Sequence, residues 1–408
     1  MRSPVPTALI LLLTLGAGSP RSGSAQAPAP TITPHGELRL RGEADARTAN
    51  VGDDMATLSR IRFGARAELM PWLRAFIQLQ DSRAWGTETN TLTDASADQL
   101  DLHQGYVELD ALGFTGRLGR QELLLGDERL VGAVGWTNTA RSFDGAVIWR
   151  TIGKAEVRGF WMNVAERDAL LATGLDPQAN EGFDDDGWLL GSWASVPAGP
   201  ATVELTLLHD RNAATDESWT AGARVHSRQG PILVEAAGAY QFGPDRAAYF
   251  LSGKLGTVVG KGSVAAQVDW LSGDDNLIDA ERTAFTTLYA TNHKFYGYMD
   301  YFLALPAQTG QAGLVDAMAR LTVPLPQQWR VRGDLHYFRT HRALAGETFL
   351  GVEGDVVVDR PLGKYAGLEI GGSVFSPGDL AATLLPAFAR GTDEATWWGY
   401  VQLTVRWP

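Results

Sequence analysis

The sequence predicts an all-β protein, a transmembrane antiparallel β-barrel of about 18 strands. Three observations carry that expectation. Charged and apolar residues alternate with period 2 in one segment after another, tight turns alternate with long polar connections, and large aromatics gather near strand ends. Beyond the first 27 residues no stretch is apolar for the roughly 20 residues that a membrane helix needs.

Composition narrows the classes further. A chain of 408 residues would ordinarily suggest two or three soluble domains, but 45% hydrophobic and 20% charged residues fit neither a disordered tail nor a helical membrane protein. The absence of cysteine removes disulfide scaffolds, thiolate metal sites and cysteine nucleophiles together. Gly 46, Trp 13 and Tyr 10 supply the turn-formers and large aromatics of an all-β chain. A net charge of −12 argues against a nucleic-acid surface, which needs a positive face.

The chain opens with an address. Arg2 precedes an apolar run from Ala8 to Leu15, and small and polar residues lead to Ala25-Gln26-Ala27, so residues 1–27 are expected to be a cleaved secretory signal peptide. Residues 28–36, with Pro28, Pro30 and Pro34, read as an extended periplasmic lead-in to a barrel over 37–408.

The first strand, 37–47, is charged at every odd position and apolar or glycine at every even one. Successive side chains on a strand point to opposite faces, so this segment has one polar and one apolar face. The second, 58–69, sets Arg60, Arg62, Arg66 and Glu68 against Ile61, Phe63, Ala65, Ala67 and Leu69. Strands follow at 73–83, 99–110, 114–121, 143–150, 155–163, 187–195 and 201–210. At 218–227, Thr220, Arg224 and His226 alternate with Trp219, Ala221, Ala223 and Val225. After 232–241, 247–256 and 262–272, the strand at 313–323 sets Asp316 and Arg320 against Val315, Ala317, Ala319 and Leu321. The strand at 328–339 alternates Arg330, Arg332, Asp334 and His336 with Trp329, Val331, Leu335 and Tyr337. Strands at 347–358 and 365–375 precede the last, 395–407, which offers Tyr400, Gln402, Thr404 and Arg406 against Val401, Leu403, Val405 and Trp407.

The connections separate a membrane barrel from a soluble sandwich. Met70-Pro71-Trp72, Ala111-Leu112-Gly113, Arg228-Gln229-Gly230-Pro231 and Pro324-Leu325-Pro326-Gln327 are tight turns, while 84–98, 122–142, 164–186, 273–312 and 376–394 are long. Short periplasmic turns and long outer loops mark outer-membrane barrels, and an even strand count puts both termini on the periplasmic side. Trp72, Trp219, Tyr240, Trp270, Trp329, Tyr337, Trp397 and Trp407 sit where interfacial girdles belong. A barrel of this width should leave a channel.

If apolar positions face lipid, the alternate ones line the lumen. They include Arg39, Arg41, Arg47, Arg60, Arg62, Arg66, Arg74, Arg117, Arg150, Arg158, Arg224, Lys254, Arg320, Arg330, Arg332 and Arg406, interleaved with acids such as Glu37, Glu43, Glu108, Asp269, Asp316 and Asp334. Guanidinium binds carboxylates through a planar fork, and a basic wall prefers anions. The strongest positive excess is Arg60, Arg62 and Arg66 beside Arg39 and Arg41. The same arginines would also satisfy acids in cross-strand ladders, a purely structural role that the pattern leaves open.

Two stretches resemble the alginate export domain family of outer-membrane barrels. One runs through Leu118-Gly119-Arg120-Gln121-Glu122-Leu123, Gly126-Asp127-Glu128-Arg129-Leu130-Val131-Gly132, Trp136-Thr137-Asn138 and Arg141-Ser142-Phe143-Asp144-Gly145. The other is Leu271-Ser272-Gly273-Asp274-Asp275-Asn276 with Leu288-Tyr289-Ala290-Thr291-Asn292-His293 and Tyr296-Gly297-Tyr298-Met299-Asp300. The resemblance implies a monomeric barrel of about 18 strands whose positive conduit passes a polyuronate and whose loops gate it. It also implies loop-anchoring or gating roles for Arg120, Arg129, Arg141, Asp144 and Asp274.

The expected function is therefore an outer-membrane pore conducting an anionic polysaccharide or oligosaccharide, with a general anion-preferring porin as the alternative. Its expected partners are that saccharide or small anionic solutes, outer-membrane lipid and lipopolysaccharide, and the barrel-assembly machinery, which would read Trp407-Pro408 as a variant of its C-terminal aromatic signal. No nucleic acid, cofactor, metal or catalytic residue is expected. Asp184-Asp185-Asp186 reads as a solvated loop or a divalent-cation bridge to such a partner. Gly256–Gly262 is one residue short of a phosphate loop and reads as a turn. His35, His103, His209, His226, His293, His336 and His341 show no ligand spacing. Outward positions lack the Ser and His that a membrane-embedded hydrolase would need.

Overall fold

The structure, a computed structural model, describes residues 29–47, 54–85, 100–165, 187–212, 216–385 and 394–407. Residues 1–28, which include the expected signal peptide, the Asp184-Asp185-Asp186 run, Pro408 and parts of five connections lie outside these. The first nine strands are β1 (Thr31–Asp45), β2 (Asp54–Met70), β3 (Leu73–Trp85), β4 (Asp101–Ala111), β5 (Phe114–Gln121), β6 (Phe143–Ile152), β7 (Ala155–Ala165), β8 (Gly187–Ala198) and β9 (Ala201–Asn212). The second nine are β10 (Asp216–Gln229), β11 (Ile232–Gly243), β12 (Arg246–Val259), β13 (Gly262–Leu271), β14 (Leu314–Pro324), β15 (Arg330–Leu344), β16 (Glu347–Pro361), β17 (Ala366–Pro377) and β18 (Thr396–Trp407).

Every strand pairs antiparallel with its successor, and β18 returns to β1, with Glu37 opposite Arg406. The second half of the ring follows the same rule from β9 to β18. The sheet thus closes on itself as an 18-stranded barrel with no free edge. Closure matters because lipid offers nothing to an unpaired backbone N–H or C=O.

Each expected strand is present, and several run longer than the alternation suggests: β1 begins at Thr31 and β15 continues to Leu344. Beyond the lipid band a strand keeps its ladder without needing an apolar face, so pairing outlasts the pattern. Connections out of even-numbered strands are tight. Gly153, Gly199, Gly230 and Gly260 take φ of 63°, 64°, 59° and 62° there, left-handed values that a Cβ disfavours. The phosphate-loop look-alike is one of these turns.

The outer wall is apolar. Ile61, Phe63, Ile77, Leu205, Leu251, Leu255, Leu335, Tyr337 and Val401 are exposed on it, alternating with inward charged or polar residues. So much contiguous apolar surface is untenable in water and suits lipid.

The interior departs from an open channel. Residues 122–142, between β5 and β6, and residues 272–313, between β13 and β14, fold into the barrel; we call them the first and second inner segments. The first fills the side formed by β6 to β9, where Leu123, Leu125 and Val131 pack on Val147, Phe160, Met162, Leu189 and Leu208. The second buries Phe285, Tyr296, Met299, Phe302 and Leu305 against Phe250, Phe338, Phe375 and Trp398. The large buried side chains thus lie in the half of the barrel nearer the long connections.

Candidate functional site

The site begins at the inward positions of β1 to β3. A chain segment crossing a barrel interior without regular structure carries carbonyls that no ladder satisfies, and buried carbonyls need donors. The tip of the first inner segment, Gly135 to Thr139, meets this need with arginine. Arg39 donates from Nη1 to the Gly135 and Trp136 carbonyls at 3.0 Å each, and from Nη2 to Thr137 O at 2.8 Å and Asn138 Oδ1 at 3.3 Å. Arg60 donates to Gly135 O and Thr137 O at 3.0 Å while its other edge forks onto Glu37 at 2.9 and 2.7 Å. Arg41 reaches Trp136 O at 3.0 Å, pairs with Glu43 at 2.7 Å and lies over the Trp136 ring at 4.4 Å. From β3, Gln80 donates to Thr139 O and Ser82 to Asn138 O, both at 2.8 Å. Asn138 answers with Nδ2 on the Ser59 and Arg83 carbonyls.

Arg62 belongs to the same patch, donating to Gln80 Oε1 at 2.7 Å and Glu122 at 3.2 Å. Glu122 also faces His103 Nε2 at 2.7 Å. Burial works against the Glu122 charge, but the His103 hydrogen bond and the Arg62 cation outweigh it and hold its pKa below the usual carboxylate value. Of the arginine excess of β1 and β2, Arg39, Arg41, Arg60 and Arg62 are therefore buried beneath a polypeptide loop rather than facing open solvent, and Arg66 alone lies outside that patch.

The other end of the first inner segment crosses to the far wall. Arg129 pairs with Asp269 of β13 at 2.6 Å and with Asp127 at 3.2 Å, its guanidinium 3.9 Å from the centre of the Phe295 ring. Burial disfavours that cation, but Asp269 more than compensates and the pKa is raised. Arg141 links the two inner segments through Tyr289 O at 2.5 Å; burial depresses its pKa, with only Tyr289 opposing. Lys294 and Thr291 both reach Glu128 at 2.6 Å. Trp136, His293 and Tyr298 stack in sequence, with ring centres 4.4 and 4.6 Å apart, so the segments meet in one aromatic pile. Tyr298 also accepts from Arg332 of β15.

In the half nearer the tight turns the inward charges keep partial contact with solvent. Arg66, Arg74 and Arg117 converge on Glu108 at 3.1, 3.2 and 2.8 Å, and Arg74 also forks onto Asp110 at 2.5 and 2.8 Å. Arg117 lies 4.2 Å from the Tyr106 ring centre. Across the barrel, Arg320 forks onto Asp334 at 2.6 and 2.8 Å, Arg332 approaches the same carboxylate at 3.6 Å, and Arg330 pairs with Asp359 at 2.8 Å. Arg158 pairs with Glu156.

The remaining candidates separate. Arg120 and Asp144 face each other across β5 and β6 at 2.7 Å, but they alternate with the buried Gln121 and Phe143, so the pair sits on the outward face of the wall at its loop end. Arg150 likewise lies outward, over Phe114 at 5.1 Å. Asp274 caps a turn inside the second inner segment, accepting from the Asn276 and Thr283 amides. His226 is partly exposed and His336 is buried in the wall. Alternation could have pointed to Gln80 and Ser82, which share the inward face of β3 with Arg74. It offered no signal for Asn138, Trp136 or Tyr298, whose positions depend on how the loops fold.

Comparison with known proteins follows the geometry. A profile described as alginate export matches residues 35–384. No curated protein matches the sequence. Similar solved structures include OccK11 (OpdR) of Pseudomonas aeruginosa, at TM-score 0.61 and 11% identity, covering 92% of this chain and 96% of that one. A BenF-like porin from Pseudomonas fluorescens Pf-5 gives 0.64 and 10%, covering 92% and 98%. OccK2 (OpdF) of Pseudomonas aeruginosa, solved in complex with glucuronate, gives 0.59 and 10%, covering 92% and 97%.

Proposed function

The chain belongs to the alginate export family of outer-membrane β-barrels, and from that premise we propose that it conducts anionic saccharides of the uronate class. Family and fold are those of outer-membrane pores rather than enzymes. The observation that carries the substrate reading is the gathering of Arg66, Arg74 and Arg117 around Glu108 on the inner wall. Each guanidinium there keeps side-chain exposure, of 33%, 17% and 26%. An arginine has five donors in a fork matched to a carboxylate, so three arginines sharing one glutamate retain donors for a passing uronate. Arg320, Arg330 and Arg332 give the opposite wall the same chemistry, and Arg158 extends it on β7. The glucuronate bound by OccK2 supports a uronate-sized ligand for this fold.

One observation favours a general anion-preferring porin for small solutes: the two inner segments are fastened to the wall by buried bonds and leave less room for a polymer. In either reading residues 1–27 are a removed signal and the barrel is a monomer. Both ends, at the tight-turn side where β1 begins and β18 stops, face the periplasm.

The test is planar-bilayer recording of the full chain under a potassium chloride gradient, with glucuronate and polyuronate added in turn. An anion-preferring reversal potential that moves towards cations in R66Q/R74Q/R117Q is expected, with block by uronate. Block by polyuronate at low concentration identifies a polymer conduit, and block by glucuronate alone a small-solute pore. Absence of block by either, together with an unshifted reversal potential in the triple variant, rejects the proposal.

A further inference from the structure

The wall of β14 to β16 holds a second cluster that the pore reading does not use. Asp316 on β14, Asp334 and His336 on β15, and Glu353 and Asp355 on β16 all point inward and are at most 6% exposed. Register brings them together, with Asp334 opposite Asp355 and His336 opposite Glu353. Burying several carboxylates is costly unless each is paired, hydrogen-bonded or bound to a metal. Arg320 and Arg332 serve Asp334, and the Met299 amide serves Glu353 Oε1 at 2.8 Å. Asp355 is different. Among the described residues neither of its carboxylate oxygens has a hydrogen-bond partner of good geometry, although the Ser373 hydroxyl and the Glu353 carboxyl stand beside it, and its nearest opposite group is His336 Nε2 at 3.7 Å.

The imidazole is oriented as a ligand would be. His336 Nδ1 lies 2.9 Å from Asp316 Oδ2, so a proton held on Nδ1 leaves the Nε2 lone pair facing Asp355. A carboxylate that fixes the tautomer behind a ligating histidine is the usual outer-shell support of a metal site. One ligand atom each from Asp334, His336 and Asp355 lies within 4.8 Å of the others. Asp334 already accepts from Arg320, but a carboxylate has about four lone-pair positions and retains capacity for a cation.

We propose that Asp355, His336 and Asp334 bind one divalent transition-metal ion of the zinc class. An imidazole nitrogen with two carboxylates suits such an ion, whereas calcium and magnesium prefer all-oxygen shells. Glu353 extends the site to the second inner segment, because Gly297 and the Met299 amide lie against its carboxylate. An ion here fastens residues 297–299 to the wall, whichever solute the pore passes.

The experiment uses the tag-free full chain in detergent, stripped with chelator and titrated with Zn²⁺, and in parallel with Ca²⁺ and Mg²⁺, by calorimetry. One saturable equivalent of Zn²⁺ is expected, with Ca²⁺ and Mg²⁺ at least tenfold weaker. D355N and H336Q should each lose tenfold or more in Zn²⁺ affinity while keeping heat-modifiable migration. Zinc-edge absorption on the unmutated protein provides a readout independent of those variants, and should show one imidazole with oxygen ligands. No saturable Zn²⁺ binding, an unchanged isotherm in a folded D355N/H336Q double variant, or a spectrum with two or more imidazoles overturns the proposal.

Discussion

Removing Arg39 and Arg60 together should release the tip of the first inner segment, whereas removing either alone should not. Gly135 O and Thr137 O each receive a donor from both arginines, so a single substitution leaves each carbonyl served. In R39A/R60A both carbonyls lose their wall donors. A buried acceptor left unsatisfied costs about 1–3 kcal/mol, so the pair should weaken docking by about 2–6 kcal/mol. At 1.4 kcal/mol per factor of ten, even the lower figure raises the detached population roughly thirtyfold. Single-channel recording reads this directly: larger mean conductance and more gating noise in the double variant, and little change in either single variant. Such non-additivity is the signature of shared partners. R66Q controls for loss of inner-wall positive charge, because Arg66 makes its bonds to Glu68 and Glu108 and none to the inner segment. If the double variant records like the unmutated pore, or if the singles sum to the double, the arginine clamp is refuted.

Two further outcomes follow from the same network. R129M leaves Asp269 buried without its cation and should lower stability by about 3–5 kcal/mol in detergent–urea unfolding, while R129M/D269L should recover part of the loss. Equal midpoints for R129M and the unmutated protein would count against this. The second concerns acid. Because the Glu122 pKa is lowered on folding, its contribution is present above the ordinary value of 4.5 and is lost as pH falls through the lowered folded value. The first inner segment should therefore become protease-accessible in acid below that ordinary value, and E122Q should show the same accessibility at neutral pH; identical profiles for the two proteins would refute the assignment.

The barrel was legible because its signal is local. Arg39-Leu40-Arg41 or Arg330-Val331-Arg332 declares its two faces within three residues, and the pleat alone does the sorting. The same parity sets Arg117 inward and Arg120 outward, three positions apart, although the family resemblance grouped Arg120 and Asp144 with the loop. Strand ends were read short at Thr31 and Leu344 because ladder pairing needs no hydrophobic pattern outside the lipid band.

What an inward arginine touches was not legible. Arg39 finds the Gly135 carbonyl 96 positions away, and Arg129 finds Asp269 at a separation of 140. Alternation records that Arg39, Arg60 and Arg62 leave the lipid face, but water, an acid ladder and a loop carbonyl are equally good destinations by that rule. His336 showed no ligand spacing for a related reason: antiparallel register, not sequence spacing, brings Asp355 beside it. The chain thus determines by itself which side of the wall most residues take, since that follows from period 2 and the cost of polar groups in lipid; Arg150, expected inward and found outward over Phe114, is an exception. Tertiary structure decides what fills the enclosed space, because two loops folding inward satisfy their carbonyls only on groups that closure of the ring has already brought together.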